Sequence, residues 1–357
     1  MDTTRYDVVI IGGGAAGLSA ATTLSRALRP VLVVDAGTPR NALAAGVHGY
    51  LSRDGMNPRE LLSIGRSEVL SYGGTVIDGE TVSARRTPDG FEVILADGSR
   101  FVGRRLLVTT GLTDQLPPID GLREQWGKGV VHCPYCHGWE IRGQRIGVLG
   151  TGPLSVHQAL LFRQWASDIT LFLNDTVEPT DEEWEKLAAR SIAVVNGAVA
   201  SVDTIDGVLT GLTLRQGNSF KVQALAVGTR MEARSALLES LGATSQAHPS
   251  GVGRFIEADA VAGATAARGV YAAGNVSNLT AQVITAAAEG TMAGARINAD
   301  LMEEETRWAV EGHFGPFSAA SEAAVSEIVL SHRRHGIDDG QTVHVMGAAE
   351  TLETVER

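Results

Sequence analysis

The run Gly12-Gly13-Gly14-Ala15-Ala16-Gly17 restricts what this chain can become more than any other feature. It follows a short apolar strand, Arg5 to Ile11, and leads into an Ala/Leu-rich stretch with helical spacing to about Ala27. The next apolar run, Val31 to Val34, ends at Asp35, so the opening segment reads as strand, glycine turn, helix, strand, acid. Gly12, Gly14 and Gly17 satisfy G-x-G-x-x-G in the context that motif requires. The first allows the tight turn, the second lets a pyrophosphate approach the backbone, and the third lets helix and strand pack closely. The helix N-terminus then faces the phosphates, and Asp35 can accept hydrogen bonds from a ribose. A glycine turn without a ligand is the bland alternative, and the strand, helix and acid in register weigh against it.

A second unit of this kind starts at Arg145. Ile146 to Leu149 reads as its strand, Gly150-Thr151-Gly152-Pro153-Leu154-Ser155 as its turn, Val156 to Trp165 as its helix, and Ile169 to Leu173 as its second strand. The motif has decayed: Ser155 stands where the third glycine belongs, Pro153 stiffens the turn, and the strand ends at Asn174-Asp175. Acidic residues follow, and no arginine pair is present to hold the 2′-phosphate that distinguishes NADP from NAD. These residues leave open both a working NAD(P)H site and one that is weak or unused.

Two further strands, Phe91 to Leu95 and Arg104 to Thr109, precede Thr110-Gly111, and Ala224 to Val227 ends at Gly228. Gly269 to Asn275 reads as a strand running into a glycine turn, followed by a small-residue helix from about Ala281 to Met302. The expected fold is α/β, with two doubly wound Rossmann-like domains, the second inserted into the first. Residues 1–120 and 244–302 form the outer domain, 121–243 the insert, and 303–357 a C-terminal extension.

Only two cysteines occur, Cys133 and Cys136, and both lie in one C-x-x-C. A structural zinc site normally takes four Cys or His ligands and a disulfide framework takes more cysteines, which leaves redox chemistry as the leading use. The bland alternatives are an inert reduced pair or half of a metal site; no metal is expected. A thiol at a helix start has a lowered pKa and forms thiolate near neutral pH. His137 follows at once, and an imidazole suits a general base at neutral pH, against the alternative that it merely solvates the turn. His132 flanks the pair on the other side, where a structural role is favoured.

The formal charge of −11 is spread along the chain, leaving no basic footprint for nucleic acid. No stretch approaches the roughly 18 to 20 apolar residues of a membrane helix, and Val8 to Ile11 is too short for a signal-peptide core. A cytoplasmic protein without nucleic-acid or membrane partners is the expectation.

The first glycine unit, Thr110-Gly111, the C-x-x-C, the decayed second unit and Tyr271 to Asn275 occur in the order and spacing of the low-molecular-weight thioredoxin reductases, which the chain resembles from about Tyr6 to Met302. The resemblance implies an FAD-binding enzyme of two domains, usually a homodimer. It places Gly12, Gly14, Ala15, Ala16, Gly17, Asp35, Ala36, Arg40, Asn41, Thr110, Gly111 and Gly274 in the FAD site. Asn275 would lie by the ribityl chain or pyrophosphate where the family has Asp. Gln282 and Val283 would lie near the isoalloxazine ring, and His48-Gly49 on a loop bordering it. Cys136 would face the flavin and Cys133 would exchange with substrate.

Two departures narrow the expectation. The family has Asp where His137 stands, and a basic pair where Asn174-Asp175 stands. In both, the chain resembles the thioredoxin-reductase-like dithiol oxidases of gliotoxin- and holomycin-type disulfide formation. That resemblance implies oxidation of a small-molecule dithiol with oxygen as acceptor. An NAD(P)H-dependent thioredoxin-disulfide reductase is the first alternative, and a flavin-binding regulatory protein without turnover the second. In the extension, Ala319 to Arg334 reads as a helix with Val325, Ile328 and Val329 on one side, suited to a structural or dimer contact.

Overall fold

A computed structural model describes residues 4–313 and 318–334. The chain divides after Asp300 into two compact units. In the first unit the opening motif folds as its spacing predicts: strand Thr4–Ile11, helix Ala15–Arg26, strand Val31–Asp35. Those strands join a sheet in the order Thr75–Asp78, Val31–Asp35, Thr4–Ile11, Arg100–Val108, with Val270–Ala272 beside the last. All of these pairings are parallel. Arg100–Val108 also closes an antiparallel meander with Gly90–Leu95 and Thr81–Thr87. The central stretches of the parallel strands are apolar where helices or neighbouring strands cover both faces; Val8, Val9 and Ile10 have no exposed surface.

The second sheet is wholly parallel, in the order Ala193–Val195, Ile169–Phe172, Ile146–Leu149, Ala224–Val227, Val130–Val131. It lies in sequence between strands of the first sheet, which gives the doubly wound α/β architecture with one layer inserted in the other. A four-stranded sheet marks the crossing: Leu112–Gln115, before the insert, pairs antiparallel with Arg230–Ala233, after it. Leu238 and Ala243 then pack in the core of the first sheet with Val9, Leu32 and Val270. A three-stranded antiparallel sheet, Val199–Ile205, Val208–Leu214 and Ser219–Lys221, covers one side of the second layer through Leu212 and Phe220.

Two helices differ from their sequence reading. The second-unit helix spans Ser155–Phe162 and stops short of Trp165; Trp165 instead packs against the rings of Tyr135 and Phe162. The helix expected to end at Met302 runs Val283–His313, since no proline or glycine interrupts it between Gly294 and Gly312. Its Gly290 lies against the carbonyl of Ala16, so close that a Cβ there would overlap that oxygen. This contact fixes the helix on the back of the first glycine turn.

In the unit beyond Asp300, Ala319–Arg334 is helical, and Val325, Ile328 and Val329 are exposed. Residues 314–317 and 335–357 of the expected extension lie outside the described residues. No helix among the described residues is long and apolar enough to cross a membrane.

Candidate functional site

One cleft of about 1720 Å³ runs from the first glycine turn to the cysteine pair. It is lined by Gly12, Gly14, Ala15, Ala16, Asp35, Ala36, Arg40, Asn41 and His48 from the first layer's opening segment. Thr110, Gly111, Gly274, Asn275, Gln282 and Val283 line it from the segments that bracket the insert, and Cys133, Cys136 and His137 from the insert itself. Of the residues singled out from sequence, Gly17 and Gly49 are not on its wall. Gly17 sits behind the turn, where a Cβ would collide with the Gly12 carbonyl and approach Thr109 Oγ1 at 2.7 Å. Gly49 abuts the site indirectly, 3.5 Å from Gln282 Oε1 by the same measure, and holds Asp54 through its amide.

The glycine turn fits a dinucleotide. A Cβ at Gly14 would meet nothing within 4 Å, so the backbone there opens directly on the cleft. Gly274 closes the opposite side, its Cβ position 3.0 Å from that of Ala16. The cleft is larger than the roughly 300–1,000 Å³ of ordinary small-molecule pockets, which leaves room for FAD and a substrate together. Asp35 is oriented from both sides. Its Oδ1 accepts from the Gly13 and Gly37 amides at 3.1 and 3.2 Å, and its Oδ2 from Arg66 at 2.7 Å. Arg66 comes from helix Pro58–Ser71, capped by the Asn57 side chain, and also holds Asp78 at 2.7 Å.

Two sequence-based assignments acquire a different content. Arg40 lines the cleft, but its guanidinium is clamped by Asp114 in two bonds of 2.7 Å, and Thr229 donates to the same carboxylate at 2.6 Å. Asp114 and Thr229 sit where the chain enters and leaves the insert, so Arg40 braces that crossing. The two Arg40 bonds hold the Asp114 carboxyl below its ordinary range although burial opposes them. Asn275 was expected to stand in for Asp at lower charge. Its Nδ2 donates to the carbonyls of Asn278, Leu279 and Ala281 at 2.9, 3.3 and 2.9 Å, a task no carboxylate can perform. Glu289, not singled out in the sequence, fixes the same turn by accepting from Gly274 N at 2.9 Å and Asn278 Nδ2 at 2.7 Å.

At the redox end, Cys133 precedes a single helical turn, Pro134–His137, whose last amide returns to the Cys133 carbonyl at 3.1 Å. Both cysteines are partly buried free thiols. The Cys136 thiol donates to Cys133, and with the Cys136 and Tyr135 amides it lowers the Cys133 pKa to about 7, against burial. The same bond, with burial and the adjacent negative charge, raises that of Cys136. The pair is therefore asymmetric, a thiolate at Cys133 held by a thiol at Cys136.

Burial lowers the His137 pKa more than the Glu140 carboxylate raises it, and His48 acts in the same direction as burial. The imidazole is neutral at pH 7, and its Nδ1 is buried without a hydrogen-bond partner. Glu140 also faces His48 Nε2 at 3.5 Å, while His48 Nδ1 faces Asp54 at 3.4 Å. The structural reading of His132 is the one seen: its Nδ1 donates to the Val227 carbonyl at 3.0 Å, and its own carbonyl accepts from Gln158 at 3.0 Å.

The second glycine turn is occupied by its own side chain. Ser155 Oγ accepts from the Thr151 and Gly152 amides at 3.0 and 3.3 Å, taking N–H groups that a pyrophosphate would otherwise use. Asn174, at the end of the next strand, is spent on the Gly150 carbonyl at 3.2 Å and the Val199 amide at 2.8 Å.

The family model for pyridine nucleotide-disulphide oxidoreductases matches residues 6–290. A probable thioredoxin reductase from Arthroderma benhamiae is 30% identical over 218 residues, 56% of this chain, and the chain spans about half, 54%, of that relative's length. Thioredoxin reductase tcpT from Claviceps purpurea is 31% identical over 318 residues, 83% of this chain and 95% of its own. The crystal structure of HlmI superposes with a TM-score of 0.80 at 42% identity, covering 86% of this chain and 96% of that one.

Proposed function

The chain belongs to the pyridine nucleotide-disulphide oxidoreductase family, and on that premise we propose that it oxidises a small-molecule dithiol to a disulfide with oxygen as terminal acceptor. At the coarser level it is a thioredoxin-reductase-like, FAD-dependent thiol/disulfide oxidoreductase. The observation that carries the finer reading is the second glycine turn. With its Thr151 and Gly152 amides bonded to Ser155 Oγ, the turn has less to offer a nicotinamide dinucleotide, which supports entry of electrons at the cysteines.

The residues around the pair support that direction. A substrate thiolate attacks Cys133 Sγ of the oxidised pair, the Cys133–Cys136 bond breaks, and Cys136 leaves. The second substrate sulfur then attacks the first, closes the product disulfide and expels Cys133. A thiol with a pKa of about 7 is a good leaving group for that step. Two electrons now reside on the pair. Of the two protons released, Cys136, with its raised pKa, keeps one, and neutral His137 accepts the other. Bound FAD supplies the two-electron acceptor that returns the pair to the disulfide and hands the electrons to oxygen. A homodimer and a cytoplasmic setting belong to the same proposal, on the family resemblance alone.

An oxygen-electrode trace with a dithiol panel and no nucleotide tests the reading. Peroxide formed in proportion to dithiol is the expected result. The relatives' names, thioredoxin reductases, favour the other direction, reduction of thioredoxin. Anaerobic bleaching of the flavin faster by NADPH than by any dithiol would establish it and refute the oxidase.

A further inference from the structure

In the second sheet Val130–Val131, Ala224–Val227 and Ile146–Leu149 are consecutive parallel neighbours, so their C-terminal ends open on one edge. From that edge the chain turns into the cysteine pair, Gly228 and the Gly150–Ser155 turn, and all three line the same cleft. Two contacts bind the turn's helix, Ser155–Phe162, and the segment just after it to the redox segment. Gln158 donates to the His132 carbonyl at 3.0 Å, and the Tyr135 ring stands edge-on to Trp165 with centroids 5.8 Å apart. The decayed glycine turn and Cys133 are therefore neighbours.

Between Thr151 and Ser155, this turn presents an apolar step, Pro153 and Leu154, to the cleft. Its Thr151 and Gly152 amides are taken by Ser155 Oγ, and Pro153 has no amide hydrogen. Pro153 and Leu154 line the cleft, Leu154 with 46% of its surface exposed and Tyr135 with 65%. Apolar surface lining a cleft that also holds a reactive sulfur suits an apolar ligand.

We propose that Pro153 and Leu154, on the remnant of the second dinucleotide turn, form with Tyr135 the wall that receives the apolar body of the substrate while its sulfurs reach Cys133. The enzyme then selects uncharged, apolar dithiols over polar ones. This deepens the dithiol oxidase reading and rests on it for turnover.

Dithiothreitol and benzene-1,2-dimethanethiol both close six-membered cyclic disulfides and differ in the polarity of their bodies, which makes them suitable probes. For Leu154→Asp the concentration of the benzenoid dithiol giving half-maximal flavin bleaching should rise at least about ten-fold, the share of a buried leucine contact. The value for dithiothreitol should stay within about two-fold, which also shows that the variant is folded. Leu154→Met should behave as the parent. Parallel loss for both dithiols, or no change for either, overturns the proposal. Binding of the benzenoid cyclic disulfide, measured by calorimetry, separates this inference from the oxidase reading. If no dithiol drives oxygen uptake, the oxidase fails, while a ten-fold weaker binding by Leu154→Asp still supports the wall and equal binding overturns it.

Discussion

Replacing Cys136 with alanine should shift the pH dependence of Cys133 to higher pH by an amount that can be worked from the structure. The Cys136 thiol is the largest cause that brings Cys133 from an ordinary value of 9.0 to about 7. At pH 7 a thiol of that lowered value is roughly half thiolate, and one returned fully to 9 is about 1% thiolate, a loss of roughly fifty-fold. Intrinsic nucleophilicity rises with pKa with a coefficient of about 0.4–0.5, so two units restore roughly six- to ten-fold. In this limit Cys136→Ala reacts about five- to eight-fold more slowly than the parent at pH 7, and six- to ten-fold faster at pH 10, with the profiles crossing near pH ~8. The assay is the initial rate of attack on 5,5′-dithiobis(2-nitrobenzoate) by pre-reduced protein under nitrogen, from pH 5 to 10. A variant whose midpoint stays near 7 would show that the backbone amides alone lower the Cys133 pKa and that the thiol–thiolate bond is not its main cause.

Three other outcomes follow from the site. His137→Gln should cut dithiol-dependent oxygen uptake by about 10²- to 10⁴-fold. Because burial lowers the His137 pKa, the parent should keep its activity below pH 6.5, and the acidic limb that remains should vanish in the variant; a pH–rate profile reads both. Asp35→Ala leaves the Gly13 and Gly37 amides without their acceptor and Arg66 with Asp78 alone. FAD affinity, followed by the fluorescence of released cofactor, should fall about 10- to 100-fold, the worth of a charge-assisted hydrogen bond. Gly17→Ala forces a Cβ into the Gly12 carbonyl and should lower stability by about 1–3 kcal/mol, seen as a lower denaturant midpoint at unchanged slope.

The first glycine unit was legible because each of its signals is local: Ile11, Gly12, Gly14, Gly17 and Asp35 lie within one strand–helix–strand unit whose geometry the neighbouring residues dictate. The same holds for Cys133 and Cys136, placed on one helical turn by their spacing and by Pro134 at its start. The length of the Val283–His313 helix and the early end of Ser155–Phe162 were not legible. One depends on the absence of a breaker beyond the familiar pattern, the other on Trp165 turning to meet Tyr135. The decay of the second motif was visible at Ser155, but its consequence was not, because a serine in a turn does not announce which amides its hydroxyl will cap.

By itself, then, the sequence located the two nucleotide-type units, the order in which they are strung, and the C-x-x-C. All of these follow from backbone preferences over a dozen residues at a time. Tertiary structure alone decided that Arg40 and Thr229 both bond the Asp114 carboxylate, and that Glu140 meets His48. Such partners meet only when segments 74 to 115 residues apart in sequence come together in the fold. Once water is excluded there, each buried charge and donor must pair with whatever the fold has placed within about 3 Å of it.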